Sequence, residues 1–180
     1  LDASWSQFCG DTSNNPVTCG PPVSSPGGDT GGTDAWAWSA NAGRDVDGDG
    51  WHDVVAGDPY ADGDAKQTGA AWILWGQTSH YSSHDGSLAS SGTVLAQGAA
   101  LRDQVGQLAT SVHDMDGDGV AEVMVQVLGD EVLYLLYGSD DLRDGVDLAA
   151  DADAWFTGAE DPIRAIAEVG DWTGDGKADL

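Results

Sequence analysis

Asp45, Asp47, Asp49 and Asp53 stand at positions 1, 3, 5 and 9 of a nine-residue stretch whose sixth residue is Gly50. The pattern returns as Asp114, Asp116, Asp118 and Glu122 around Gly119, and again as Asp171, Thr173, Asp175 and Asp179 around Gly176. Oxygen donors at alternate positions of a curled backbone suit calcium, a hard cation that takes six to eight oxygen ligands at about 2.3–2.6 Å. Position 7, occupied by Trp51, Val120 and Lys177, is expected to offer its backbone carbonyl, so that its side chain is free to vary. A glycine at position 6 fits the sharp turn such a loop makes. Without a cation, carboxylates held a few ångströms apart would repel one another by about 1–4 kcal/mol per close pair. The expected cofactor is therefore calcium, one ion per loop and three in all.

Two blander readings compete. Asp-Gly clusters form ordinary turns, but three copies with one spacing exceed what a turn requires. An EF-hand opens in the same way and closes with a bidentate Glu at position 12. Here that position holds Ala56 and Val125, and the third copy stops before reaching it.

The loops need rigid flanks, and the flanking sequence reads as strands. Asp53–Pro59 and Glu122–Val127 follow the first two loops, and Gly69–Gly76 and Glu131–Gly138 follow after short polar turns. These runs are apolar, rich in β-branched or aromatic residues and bounded by glycine, as buried strands are. Apolar residues at successive positions imply burial on both faces. Further strands are expected ahead of each loop, over Ala35–Ala40, Gln107–Val112 and Ile163–Val169. The polar segments Gln77–Gly92 and Ser139–Asp153 read as linkers, with room for a fourth strand. The unit is strand, loop, strand, turn, strand and linker, which makes a four-stranded antiparallel blade in an all-β protein. The loops begin at residues 45, 114 and 171, so the repeat is long enough for one supersecondary unit each time.

This unit resembles the FG-GAP repeat of integrin α-subunit β-propellers and of many bacterial surface proteins. The three aspartate loops carry the likeness, with Val54–Pro59 in place of the "GAP" element, Gly69–Gly76 as the next strand, and Val105-Gly106-Gln107-Leu108 near the "FG" position. In the third copy Asp161-Pro162-Ile163 departs from the motif. The resemblance spans residues 34–180. It implies propeller blades with calcium between the first two strands of each.

Residues 1–34 form a separate arm. Cys9 and Cys19 are the only cysteines, and their short spacing suggests a disulfide and an oxidising compartment, with two free thiols as the alternative. Residues 24–33 have the composition of a flexible linker. Repeats are expected over about 35–92 and 93–153, with an incomplete third over 154–180. Two and a half blades leave an edge open, which suggests either a piece of a larger propeller or a subunit assembling head-to-tail with its own copies.

Six basic residues against 31 acidic ones give a net charge of −25, and three calcium ions would reduce it to −19. That excess opposes nucleic acid and anionic membranes as partners. No apolar run approaches the ~20 residues of a membrane-spanning helix. The start at Leu1 reads as a processed, secreted form. No catalytic motif is visible, including nucleophile elbow, His-Glu-x-x-His, phosphate loop and dinucleotide fingerprint. His80 and His84 are spaced for a metal but lie in a Ser-rich linker, and His52 and His113 sit beside the loops. The eight tryptophans read as packing between blades, with Trp36, Trp38 and Trp155 as candidates for binding sugar. The expectation is a non-catalytic, secreted or cell-surface, calcium-stiffened module with a structural or adhesive role. Its partner would be a protein or further copies of the chain. The competing readings are a lectin module, or the propeller part of a larger extracellular hydrolase.

Overall fold

A computed structural model describes residues 39–63, 65–77, 93–158 and 161–180. The arm with Cys9 and Cys19, together with Trp36, Trp38, His80 and His84, lies outside the described residues. Among the described residues eight strands form two four-stranded antiparallel sheets, each in simple sequential order. The first sheet comprises β1 (Ser39–Arg44), β2 (Asp53–Asp58), β3 (Ala70–Leu74) and β4 (Thr93–Gln97). The second comprises β5 (Val105–Val112), β6 (Glu122–Val127), β7 (Val132–Leu136) and β8 (Ala154–Thr157). In each sheet the aspartate loop joins the first strand to the second. The fourth strand left open by the sequence is present in both sheets. β4 pairs with β3, so residues 93–97 close the first sheet instead of opening the second.

The alternation of side chains along a strand explains the double-sided hydrophobicity. On β6, Val123, Val125 and Val127 face the first sheet, sharing a core with Val55, Ala71, Ile73 and Leu95. Met124 points the other way, into a second cluster with Val112, Leu133 and Leu135, which Ile163 and Ile166 cover. The second sheet is thus packed on both faces. Gln126, also buried, donates from Nε2 to the Ile163 carbonyl at 2.6 Å and fixes that covering segment.

The two sheets touch along β5. Ser39 Oγ donates to the Gly106 carbonyl at 3.2 Å and accepts from Ala109 N at 3.0 Å. Val105 N donates to Thr68 O at 3.0 Å, and Gly69 and Val105 form a parallel bridge. Gly106, at φ +88°, sits in the register shift between Val105 and Ala109, and it faces Gly57 backbone to backbone. A Cβ on Gly57 would meet Gly106 O within contact distance and Gly106 C at 2.8 Å, and one on Gly106 would meet Gly57 Cα at 2.9 Å. Each of the two glycines leaves room for the other.

Two expectations need correction. Ile163–Val169 does not form a strand; Ile163 and Ile166 of this irregular segment pack over the second sheet, and among the described residues only the bridge Gly170–Asp179 is strand-like. A strand requires a ladder partner, and the third copy supplies just that bridge among the described residues. The linker Ser139–Asp153 is structured: a 3-10 helix spans Asp140–Asp144 and a short helix, α1, spans Leu148–Asp151. Leu142 and Leu148 bury into the core between the sheets, and single apolar residues among acids leave no periodic signature.

Candidate metal centres

All three loops fold by the same hydrogen-bond logic. In the first, Asp45 accepts from the backbone N–H groups of Gly48, Asp49 and Gly50, Asp47 Oδ1 accepts from Asp49 N, and Asp49 Oδ1 accepts from Trp51 N. In the second, Asp114 accepts from Gly117 N and Gly119 N, Asp116 Oδ1 from Asp118 N, and Asp118 Oδ1 from Val120 N. In the third, Asp171 accepts from Gly174, Asp175 and Gly176, and Asp175 Oδ1 from Lys177 N. At positions 3 and 5 of the first two loops, and at position 5 of the third, one carboxylate oxygen curls the backbone and leaves the other free of backbone donors. Glycines at positions 4 and 6 have positive φ in every copy, from +77° to +93°.

Neighbouring loops are also stacked. Ala121 N donates to Asp45 O at 2.9 Å, and Ala178 N repeats the bond to Asp114 O at 2.8 Å. The side chain at position 7 is not free to vary without consequence: Val120 packs on Gly48 of the preceding loop, and Lys177 packs on Gly117. Lys177 Nζ then reaches the Asp116 carbonyl at 2.5 Å. This stacking places the third loop in register with the other two, although the strand ahead of it is missing.

The structure gathers carboxylate oxygens of Asp45, Asp47 and Asp49 within 4.8 Å of one another, and likewise those of Asp114, Asp116 and Glu122. Asp118 falls outside the second group, and the acids of the third loop form no such group among the described residues. The position-9 acids differ. Asp53 is buried and both its oxygens are occupied, Oδ1 by Gly76 N at 2.7 Å and Oδ2 by Val46 N at 2.8 Å. Asp179 Oδ2 accepts from Trp172 N and Thr173 N. Glu122 has one more methylene; its Oε1 accepts from Met115 N at 3.0 Å, and its Oε2 is buried with no hydrogen-bond partner. Burial, with the charges of Asp114 and Asp116 adding to it, pushes the Glu122 carboxyl up to about 7. Burial likewise raises Asp47 and Asp53. Asp114 is lowered: burial opposes this, but the backbone N–H donors around its carboxylate outweigh it.

An all-oxygen, mostly anionic donor set fits a hard divalent cation. Glu122, grouped with Asp114 and Asp116 and carrying a buried, unpaired Oε2, is the point where the second loop lacks a positive partner. Asp114, Asp116 and Glu122 would hold the ion there, and Asp45, Asp47 and Asp49 in the first loop. Bound calcium would supply charge neutralisation and a rigid crosslink, favouring the ionised form of Glu122.

The family model of the FG-GAP repeat matches residues 36–74, a span that runs through β1, the first loop, β2 and β3. This segment is similar to the FG-GAP repeat. No curated protein gives a significant match to the chain. The FG-GAP match stops where β3 stops, and the second sheet repeats its order of strand, loop, strand, strand. Gly57 lies in the matched repeat and Gly106 in the next, so the contact between these glycines joins one repeat to its successor.

Sequence reasoning missed several contributors. Val46 and Met115, at position 2, anchor the first two loops in the cores; an apolar residue alternating with aspartates is the available signal. Arg143 reaches back from the 3-10 helix to the first loop, and nothing in its local sequence marks that reach. Arg44 and Glu168 pair at 2.6 Å across repeats, with His113 Nδ1 2.7 Å from the same Glu168 oxygen.

Proposed function

We propose that the chain is a calcium-binding module of an extracellular, propeller-type protein, serving a structural or adhesive role and performing no catalysis. The observation that carries this reading is the second loop, where the carboxylate of Glu122 groups with those of Asp114 and Asp116 and its Oε2 is buried and unpaired. A buried carboxylate oxygen with no donor is costly, and a cation between the three acids removes that cost. The FG-GAP match supports the propeller-type setting and extracellular placement. No helix among the described residues is long and apolar enough to cross a membrane, and the net charge of −25 suits a calcium-rich medium. The partner is another protein surface, further copies of this chain included. Exposed aromatic residues on β8, Trp155 and Phe156, offer a contact area.

Isothermal titration of the whole chain with calcium, and with magnesium as control, tests the reading. Extracellular-type sites should saturate with dissociation constants of roughly 10⁻⁴–10⁻³ M, with calcium preferred over magnesium. Absence of calcium binding at millimolar concentration would overturn it.

A further inference from the structure

The first and second loops are not equivalent: besides their position-9 acids, they differ in one basic side chain. Arg143 Nη2 pairs with Asp47 Oδ2 and lies 3.2 Å from Asp49 Oδ2. Those are the two oxygens the loop backbone leaves open, because Oδ1 of each aspartate already accepts a backbone N–H. The same oxygens on Asp116 and Asp118 have no cationic side chain on them among the described residues. Lys177, the basic residue nearest the second loop, bonds to a backbone carbonyl instead.

Arg143 is held in place from several directions. Its Nε is 2.9 Å from Asp140 Oδ1, and its guanidinium carbon stands 4.5 Å from the centroid of the Trp75 ring. Trp75 is itself fixed by Nε1 donating to Thr93 Oγ1 at 2.9 Å. The 3-10 helix carrying Arg143 is pinned by buried Leu142 and by Val146 N donating to Leu95 O at 2.7 Å. The Asp47 side chain is fully covered as a result. A planar guanidinium on two carboxylates and an aromatic face is a preorganised arrangement that a lysine would not reproduce.

We propose that Arg143 is a tethered counter-ion that competes with calcium for the first loop, making this the weak site and the second loop the strong one. The inference rests on the reading that the loops bind calcium. A metal takes Asp47 Oδ2 and Asp49 Oδ2 only when the guanidinium has left them, so the apparent affinity falls by the fraction of time the loop is free. The first loop thereby keeps its charge neutralised at low calcium, and it is clasped to the second sheet by a residue of that sheet's own repeat.

Calcium titration by calorimetry tests this with Arg143→Met, which keeps the stem and removes the charge, and with Arg143→Gln as a second variant should the first fold poorly. Each is compared with the unsubstituted chain and with a version that also carries Asp47→Asn. Removal of Arg143 should tighten one binding event by at least about tenfold, leave the tightest event of the unsubstituted chain unchanged, and lose the gain when Asp47→Asn is added. Isotherms identical with and without Arg143 would overturn the competition while leaving calcium binding intact, and so would weaker binding after its removal. Absence of calcium binding in every version would overturn the underlying reading, and this inference with it.

Discussion

Gly57→Ala is expected to destabilise the chain by at least about 3 kcal/mol, the upper range for forcing volume into a packed interface. The added methyl group would fall on the Gly106 carbonyl, 2.8 Å from its carbon and 2.8 Å from Ser39 Oγ. Neither obstacle can swing aside. Gly106 is fixed in β5 at φ +88°, with its own Cβ position blocked by Gly57 Cα, and Ser39 Oγ holds both Gly106 O and Ala109 N. Relief would require β5 to move off β2, opening the core shared by Val55, Ile73, Val123 and Val125. Gly50→Ala is the informative comparison: a Cβ there meets nothing within 4 Å, so its cost is limited to the positive φ of +89°. Chemical denaturation of both variants should rank Gly57→Ala well below Gly50→Ala.

That contact also shows how far the sequence could be read. The "FG" position falls at Val105-Gly106-Gln107-Leu108 and "GAP" at Val54–Pro59; the structure shows why glycine is needed in both, since Gly57 and Gly106 meet across the repeat boundary. The loops, β2, β3, β6 and β7 were legible because each has a dense local signal, either 1-3-5-9 acids or an uninterrupted apolar run. What escaped depends on distant partners. Whether Ile163–Val169 becomes a strand depends on a neighbour to pair with, not on its own composition. The reach of Arg143 to Asp47 spans 96 positions. Asp62 belongs to none of the aspartate loops, yet its Oδ1 accepts from Gln67 N at 2.8 Å, and Gln67 has a φ of +54°. It shapes a turn and is a poor neutral control.

Asp116→Ala is expected to cost more than loss of an exposed acid when calcium is present. Asp116 belongs to the second carboxylate group, and its Oδ1 also accepts from Asp118 N at 3.0 Å. Losing the site removes stabilisation of about 2.7 kcal/mol at a hundredfold excess of calcium over its dissociation constant. Asp141 is the better control: it is exposed on the 3-10 helix, and surface changes of that kind usually stay within about 0.5 kcal/mol. In excess chelator the ranking should narrow or reverse, because Asp116→Ala then removes one of the charges crowding Glu122. Equal losses for both variants in calcium would mean that the spacing of acids has no bearing on stability.

The central claim, that the aspartate loops are calcium sites holding the repeats together, is tested most directly by thermal melting of the chain in saturating calcium and in excess chelator. Each site filled at a hundredfold excess should raise the midpoint by about 5–10 °C for a chain of this length. A midpoint that rises with calcium concentration and falls on chelation is the predicted result. The same midpoint in both conditions would contradict the account.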